Sequence, residues 1–256
     1  TLLARNYGRD YRSMFNQAIS EGSYAANERG FYGGISINPN RRWQVMAYAD
    51  VFRFPWLRYR VDAPSSGYEL YTQTSYSPDS RTSFYIRYRF ETKQQNDDVV
   101  SMYHAIPNVI RQNIRADAAF HLYRNFSLRY RVEGVLYQKE IDHQRGLLAY
   151  QDLFYTPYRN NRFSASLRVA WFKTDSYDSR IYAFENDVLY SYAIPVYFGH
   201  GVRSYLNAHL SLKRGLDVWA RYAVFAYREQ TTVGSGLDQI DGNRKSDLKI
   251  QLRLRF

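Results

Sequence analysis

The chain has 256 residues, 35 Lys and Arg against 24 Asp and Glu, a formal net charge of +11 and no cysteine. Disulfides, thiolate metal sites, cysteine nucleophiles and a lipidated N-terminal cysteine are therefore excluded. A mean hydropathy of −0.57, with no apolar run near the roughly 18 residues of a membrane helix, excludes helical spans. It does not bear against a membrane β-barrel, whose strands show lipid only every second residue. The basic surplus favours anionic partners such as lipid headgroups, acidic polymers or nucleic acid.

Taken in chain order, the signal is alternation. A truncated strand is expected at 1–8, followed by strands near 29–38, 42–53 and 67–76. "SFYIRYRF" (83–90) sets Phe84, Ile86, Tyr88 and Phe90 against Tyr85, Arg87 and Arg89. After a weaker copy at 111–122, "FSLRYRVEG" (126–134) sets Phe126, Leu128, Tyr130 and Val132 against Arg129, Arg131 and Glu133. A further copy at 147–156 precedes "RFSASLRVAW" (162–171), where Phe163, Ala165, Leu167, Val169 and Trp171 oppose Arg162, Ser164, Ser166 and Arg168. "SYLNAHLSL" (204–212), a copy at 216–228 and "DLKIQLRLRF" (247–256) complete the series. In the last, Leu248, Ile250, Leu252, Leu254 and Phe256 share one parity; Asp247, Lys249, Gln251, Arg253 and Arg255 share the other. Strict period-two alternation is what a strand needs to present one apolar and one polar face. The reading is an all-β, antiparallel up-and-down transmembrane barrel of about twelve strands, spanning 1–256 as a single domain.

The connections on this reading alternate between long (9–28, 54–66, 93–110, 139–146, 174–201, 229–243) and short (39–41, 77–81, 123–125, 157–160, 213–215). Outer-membrane barrels have that asymmetry, with tight periplasmic turns and long external loops. Within 174–201, "RIYAFENDVLYSYAI" has the pattern of an extra hairpin, which makes fourteen strands the alternative. Aromatic groups near expected strand ends (52–59, 153–158, 194–198) fit interfacial girdles. The chain opens Thr1-Leu2-Leu3 without an initiator Met or signal peptide, so it is expected to be a processed product or the C-terminal part of something longer.

If the apolar parity meets lipid, the other faces inward. Its basic positions are Arg87, Arg89, Arg115, Arg129, Arg131, Arg162, Arg168, Arg203, Arg221, Lys249, Arg253 and Arg255. Asp50, Glu69, Glu91, Asp117, Glu133, Asp217 and Asp247 fall on the same parity. Either these arginines line a path for anionic solutes, because guanidinium forks pair bidentately with carboxylate or phosphate, or they pair with the acids and fill the interior. The second is favoured, since acids stand ready on the same face.

Catalytic chemistry has thin support. Of five histidines, His104, His143 and His200 are expected in loops, and His121 and His209 inward. Their neighbours Asp117 and Ser211 are only the i±4 and i±2 companions that any alternating strand produces, and no nucleophile motif appears. No metal-binding spacing appears either. "GSGLDQIDGN" (234–243) reads as an external loop rich in turn formers and does not match a calcium loop. "FPWLRYRVDAPSSG" (54–67) is either a partner-binding surface or a girdle running into a turn. No cofactor is expected.

The stretches at 5–34, 50–69, 180–207 and 232–256 ("TVGSGLDQIDGNRKSDLKIQLRLRF") resemble the C-terminal region of Bacteroidota outer-membrane proteins labelled helix-hairpin-helix domain-containing. The resemblance implies an outer-membrane location. It carries nucleic-acid contact only as a hint, because the helix-hairpin-helix segment of that family has no counterpart in these residues. Terminal Phe256 looks like the aromatic signal read by the barrel-assembly machinery. The expected partners are outer-membrane lipid, that machinery during biogenesis, and other membrane-complex subunits through the external loops.

Overall fold

The computed structural model describes residues 1–12, 18–22, 24–99, 104–123, 125–157, 162–212 and 215–255. Twelve long strands form one antiparallel sheet: β1 (Leu2–Tyr7), β2 (Glu28–Asn40), β3 (Trp43–Phe54), β4 (Ser65–Tyr76), β5 (Thr82–Gln94), β6 (Asn108–Tyr123), β7 (Phe126–Lys139), β8 (Asp142–Tyr155), β9 (Phe163–Thr174), β12 (His200–Ser211), β13 (Leu216–Tyr227) and β16 (Arg244–Leu254). Each pairs with the long strands next to it in sequence, which is up-and-down order. Two small pairs stand apart: β10 (Ile181–Tyr182) with β11 (Val196–Tyr197), and β14 (Thr232–Val233) with β15 (Ile240–Asp241). "RIYAFENDVLYSYAI" therefore adds no hairpin to the main sheet, and the main sheet has twelve strands rather than fourteen. A 3-10 turn spans Gly236–Asp238.

Alternation sets which side chains are covered. On β9 the burial pattern switches residue by residue, with Ser166, Arg168, Ala170 and Phe172 buried between exposed Leu167, Val169 and Trp171. On β16, Leu248, Ile250 and Leu252 are each 66% exposed. Phe31, Ile35, Val51, Leu70, Ile86, Ile114, Val132, Leu206 and Tyr222 on other strands are exposed too. Meanwhile Arg5, Glu28, Asp50, Glu69, Asp152, Arg168, Asp217 and Arg221 are buried. Water-soluble domains place these classes the other way round.

One expected connection differs. Residues 139–146 are not a long loop: β7 and β8 run on and turn within 140–141. Glu140 takes a φ of 52°, the left-handed geometry that a two-residue hairpin turn requires. The polar "KEIDHQRG" reads as loop because it lacks the apolar/polar alternation of the other strands. The expected turns at 123–125, 157–160 and 213–215 lie partly outside the described residues.

The chain divides into two compact units. The first comprises Thr1–Ser75, Ile86–Ile114 and Leu136–His143, and the second Tyr76–Tyr85, Arg115–Val135 and Gln144–Phe256. In the first, Phe52 and Phe54 point inward and are buried, so the 52–59 aromatics are in part core rather than girdle. In the second, Leu148, Tyr150, Ala170, Phe172, Phe225 and Tyr227 form an apolar cluster closed by Ile181, Ala183 and Tyr197. Tyr197 is thus core as well. Outward rings at the short-turn end of this unit do follow one another across strands: Phe84 meets Phe120 at 5.5 Å, and Tyr155 lies between Phe126 at 5.0 Å and Phe163 at 5.9 Å.

Candidate functional site

The inward face is a ladder of ion pairs, built because adjacent strands bring one parity together. In the first unit Arg5 donates to Glu28 at 2.5 Å and to Asp50 at 2.8 Å, all three buried. Gly30, the cross-strand partner of Arg5, leaves room for this: a Cβ there would stand 2.6 Å from the guanidinium carbon. Glu69 accepts both forks of Arg89, at 2.7 and 2.5 Å, and the Tyr48 hydroxyl as well. Arg87 donates twice to Gln73 and lies over the Tyr71 ring. Tyr71 stacks on Tyr48 at 4.7 Å, beside a cavity of about 700 Å³ that Tyr32, Ser36 and Met46 also line. The carboxylates of Glu21, Glu69 and Glu91 approach within 4.8 Å of one another. Lys93 bridges Glu21 and Glu91, so the protein's own ammonium occupies the place a cation would take.

In the second unit Arg115 forms a fork on Glu133 at 2.7 and 2.9 Å. Asp117 accepts from Arg129 and from Arg131, both at 2.9–3.2 Å. Asp152 takes both forks of its cross-strand partner Arg168. Arg168 also lies 3.7 Å from the centroid of Tyr150, a cation–π contact.

Other partners come from outside the long strands. Residues 175–199, carrying β10 and β11, fold back onto the inward face of β9, β12 and β13. Apolar contact anchors one end through Ile181, Ala183 and Tyr197. At the other end Glu185, fully buried, accepts Arg203 at 3.1 and 2.9 Å, the Tyr197 hydroxyl at 2.8 Å and Arg221. Arg221 and Lys249 are directly opposed across β13 and β16, an arrangement that repels unless an anion lies between. Asp187 supplies it, 2.6 Å from Lys249 and 3.9 Å from Arg221. Backbone carbonyls of the same segment accept as well: Phe184 from Arg168, Asn186 from Arg221 and Asp187 from Asn207. Arg221 is thereby only 1% exposed in its side chain, despite carrying full charge. Gly146 permits the fold-back, since a Cβ there would collide with the Ser179 carbonyl oxygen.

Nearer the short turns, Asp217 receives Arg253 at 2.8 Å and Arg255 at 3.1 Å. Of the expected inward cations, eleven thus have a named partner. Arg162 is different: it is exposed, in the turn before β9, and offers its backbone carbonyl to Ser211. Phe256 lies outside the described residues. Glu185 and Asp187 escaped the parity reading because they sit in a connection, and parity is informative only within strands.

Among the described residues, the histidines make separate contacts. His209 stacks on Trp219 at 4.5 Å and reaches Asp217 at 3.3 Å. Ser211 bonds the same carboxylate, so acid and hydroxyl converge without the Ser–His contact that nucleophile activation needs. His121 reaches the Arg81 carbonyl oxygen at 3.2 Å. In the loops, His104 pairs with Asp97 at 2.9 Å and His200 with Glu229 at 3.1 Å. The hydrogen bond from His104 holds the Asp97 carboxyl below the usual range. No family model matches the chain, and no curated protein or solved structure matches it.

Proposed function

We propose that this chain is a closed outer-membrane β-barrel of a Gram-negative bacterium. Its role is structural or accessory within a larger membrane assembly, and its interior is filled by charged side chains and the 175–199 segment. The observation that carries the reading is the inversion of burial. Charged side chains are covered and paired, while Leu248, Ile250, Leu252 and their counterparts are bare along strand after strand. Such a continuous apolar surface calls for a lipid partner, and, β1 apart, strands of 11 to 16 residues exceed the nine or so that cross a bilayer.

Filling rather than conduction is supported by the pairing itself. A channel for anionic solutes needs guanidinium groups free to exchange partners, whereas Arg168, Arg203 and Arg221 are buried with carboxylates. Nothing in the His209–Asp217–Ser211 contacts supports an enzyme. Biogenesis through the barrel-assembly machinery follows from the same reading, and the long connections are the surfaces for other subunits.

Two measurements test it. Unboiled detergent-solubilised protein should migrate faster on a gel than boiled protein, and after reconstitution into planar bilayers it should stay electrically silent. Equal mobility, with salt alone extracting the protein from membranes, refutes the barrel. A steady anion-selective conductance refutes the filled interior and favours the channel.

A further inference from the structure

Outward side chains on the long strands are mostly apolar, and the charged exceptions Arg29, Arg53 and Lys173 stand at the end bearing the long connections. In the first unit, Asn6, Arg29 and Arg53 form one cross-strand row, Arg29 standing directly opposite both others. Both arginines are exposed. Arg29 donates to Asn6 at 3.2 Å, and among the described residues no carboxylate pairs with either guanidinium. Inside the protein the equivalent like-charge pair, Arg221 with Lys249, is bridged by Asp187. The outer pair lacks its anion. Directly beneath it lie Phe31 and Val51, themselves paired across β2 and β3 and 54% and 59% exposed.

The second unit carries a related basic row at the same end, with one carboxylate in it. Lys173 opposes His200, and the Arg228 backbone bonds the His200 carbonyl on the next strand. Glu229 pairs with His200, which leaves the row a net cation, above exposed Trp171.

We propose that Arg29 and Arg53 clasp the phosphate of a phosphorylated lipid whose acyl chains lie on Phe31 and Val51, and that the Lys173 row is a second such site. The inference rests on the membrane-barrel reading. Guanidinium forks suit phosphate oxygens, and an apolar step below the charges selects a lipid headgroup over a soluble anion.

Native mass spectrometry of the full chain in detergent tests this, with bisphosphorylated lipid A, the same lipid stripped of phosphate, and inorganic phosphate as probes. The variant Arg29→Gln/Arg53→Gln should still hold one phosphorylated lipid at the Lys173 row but show roughly tenfold less of the two-lipid species than wild type, the loss of two charge-assisted contacts. Arg41→Gln/Arg42→Gln, at the opposite end of β2 and β3, should match wild type. Equal retention by the Arg29/Arg53 variant, equal binding of the stripped lipid, or displacement by millimolar inorganic phosphate each overturns the proposal. Gel mobility before and after boiling keeps the two readings separate. If the variant still shifts while lipid binding is unchanged, only the lipid site falls; if wild type never shifts, the barrel falls and takes this site with it.

Discussion

Glu185→Gln probes the interior most directly. The carboxylate is fully buried and receives three charged or polar donors, from Arg203, Arg221 and Tyr197. Glutamine keeps the shape and one acceptor oxygen but removes the charge. Arg221 retains Asp247 at 2.7 Å and Arg203 retains it at 3.6 Å, so neither guanidinium is wholly abandoned. Breaking a buried pair from one side costs about 3–5 kcal/mol, and the retained contacts place this variant near the lower figure, about 3 kcal/mol. Urea unfolding of protein reconstituted in vesicles, followed by tryptophan fluorescence, reads this as a lowered midpoint. Arg253→Gln is the control: its partner Asp217 keeps Arg255 and His209, and the midpoint should scarcely move. Equal midpoints for Glu185→Gln and wild type would refute the claim that ion pairs hold the fold-back segment.

Gly146→Ala forces a methyl against the Ser179 carbonyl; it should raise proteolytic cleavage within 175–199 and produce flickering conductance in a bilayer otherwise silent. Ile250→Arg places a charge on the bare face and should cost about 2–4 kcal/mol near mid-bilayer, measured by the same urea titration; tolerance there would mean the faces are reversed. Gly30→Ala pushes on the Arg5 guanidinium and should lower the midpoint more than Gly33→Ala, whose added methyl meets only Leu2 at 3.5 Å. In the 95–107 connection, a depressed Asp97 contributes stability that is present above the ordinary carboxylate range and is lost as pH falls through its lower folded value. Hydrogen exchange at Ala105, whose amide donates to Asp97, should therefore stay slow near pH 5 and quicken only below about pH 4.

Strand existence and facing were legible because alternation is a local property: Ile250 and Arg253 declare opposite sides without any knowledge of neighbours. The inward cations could be named for the same reason. Their partners were legible only where they too lay on strands, as Glu133 and Asp117 do. Glu185 and Asp187 belong to a connection whose path is decided by tertiary contacts of Tyr197 and Arg221, which no periodicity reports. The turn at Glu140 was hidden for a related reason, since β7 and β8 continue where both faces are polar. Phe52 was misplaced because an aromatic near a strand end serves core and interface equally well; only its parity distinguishes them.

The fold-back segment also ties together parts of the chain that lie far apart in sequence. Glu185 pairs with Arg203 and Arg221, and Asp187 with Arg221 and Lys249, which stand on β12, β13 and β16. Each acid spans two neighbouring strands and Arg221 is common to both. Two carboxylates of one connection thus act as a single staple across three successive strands.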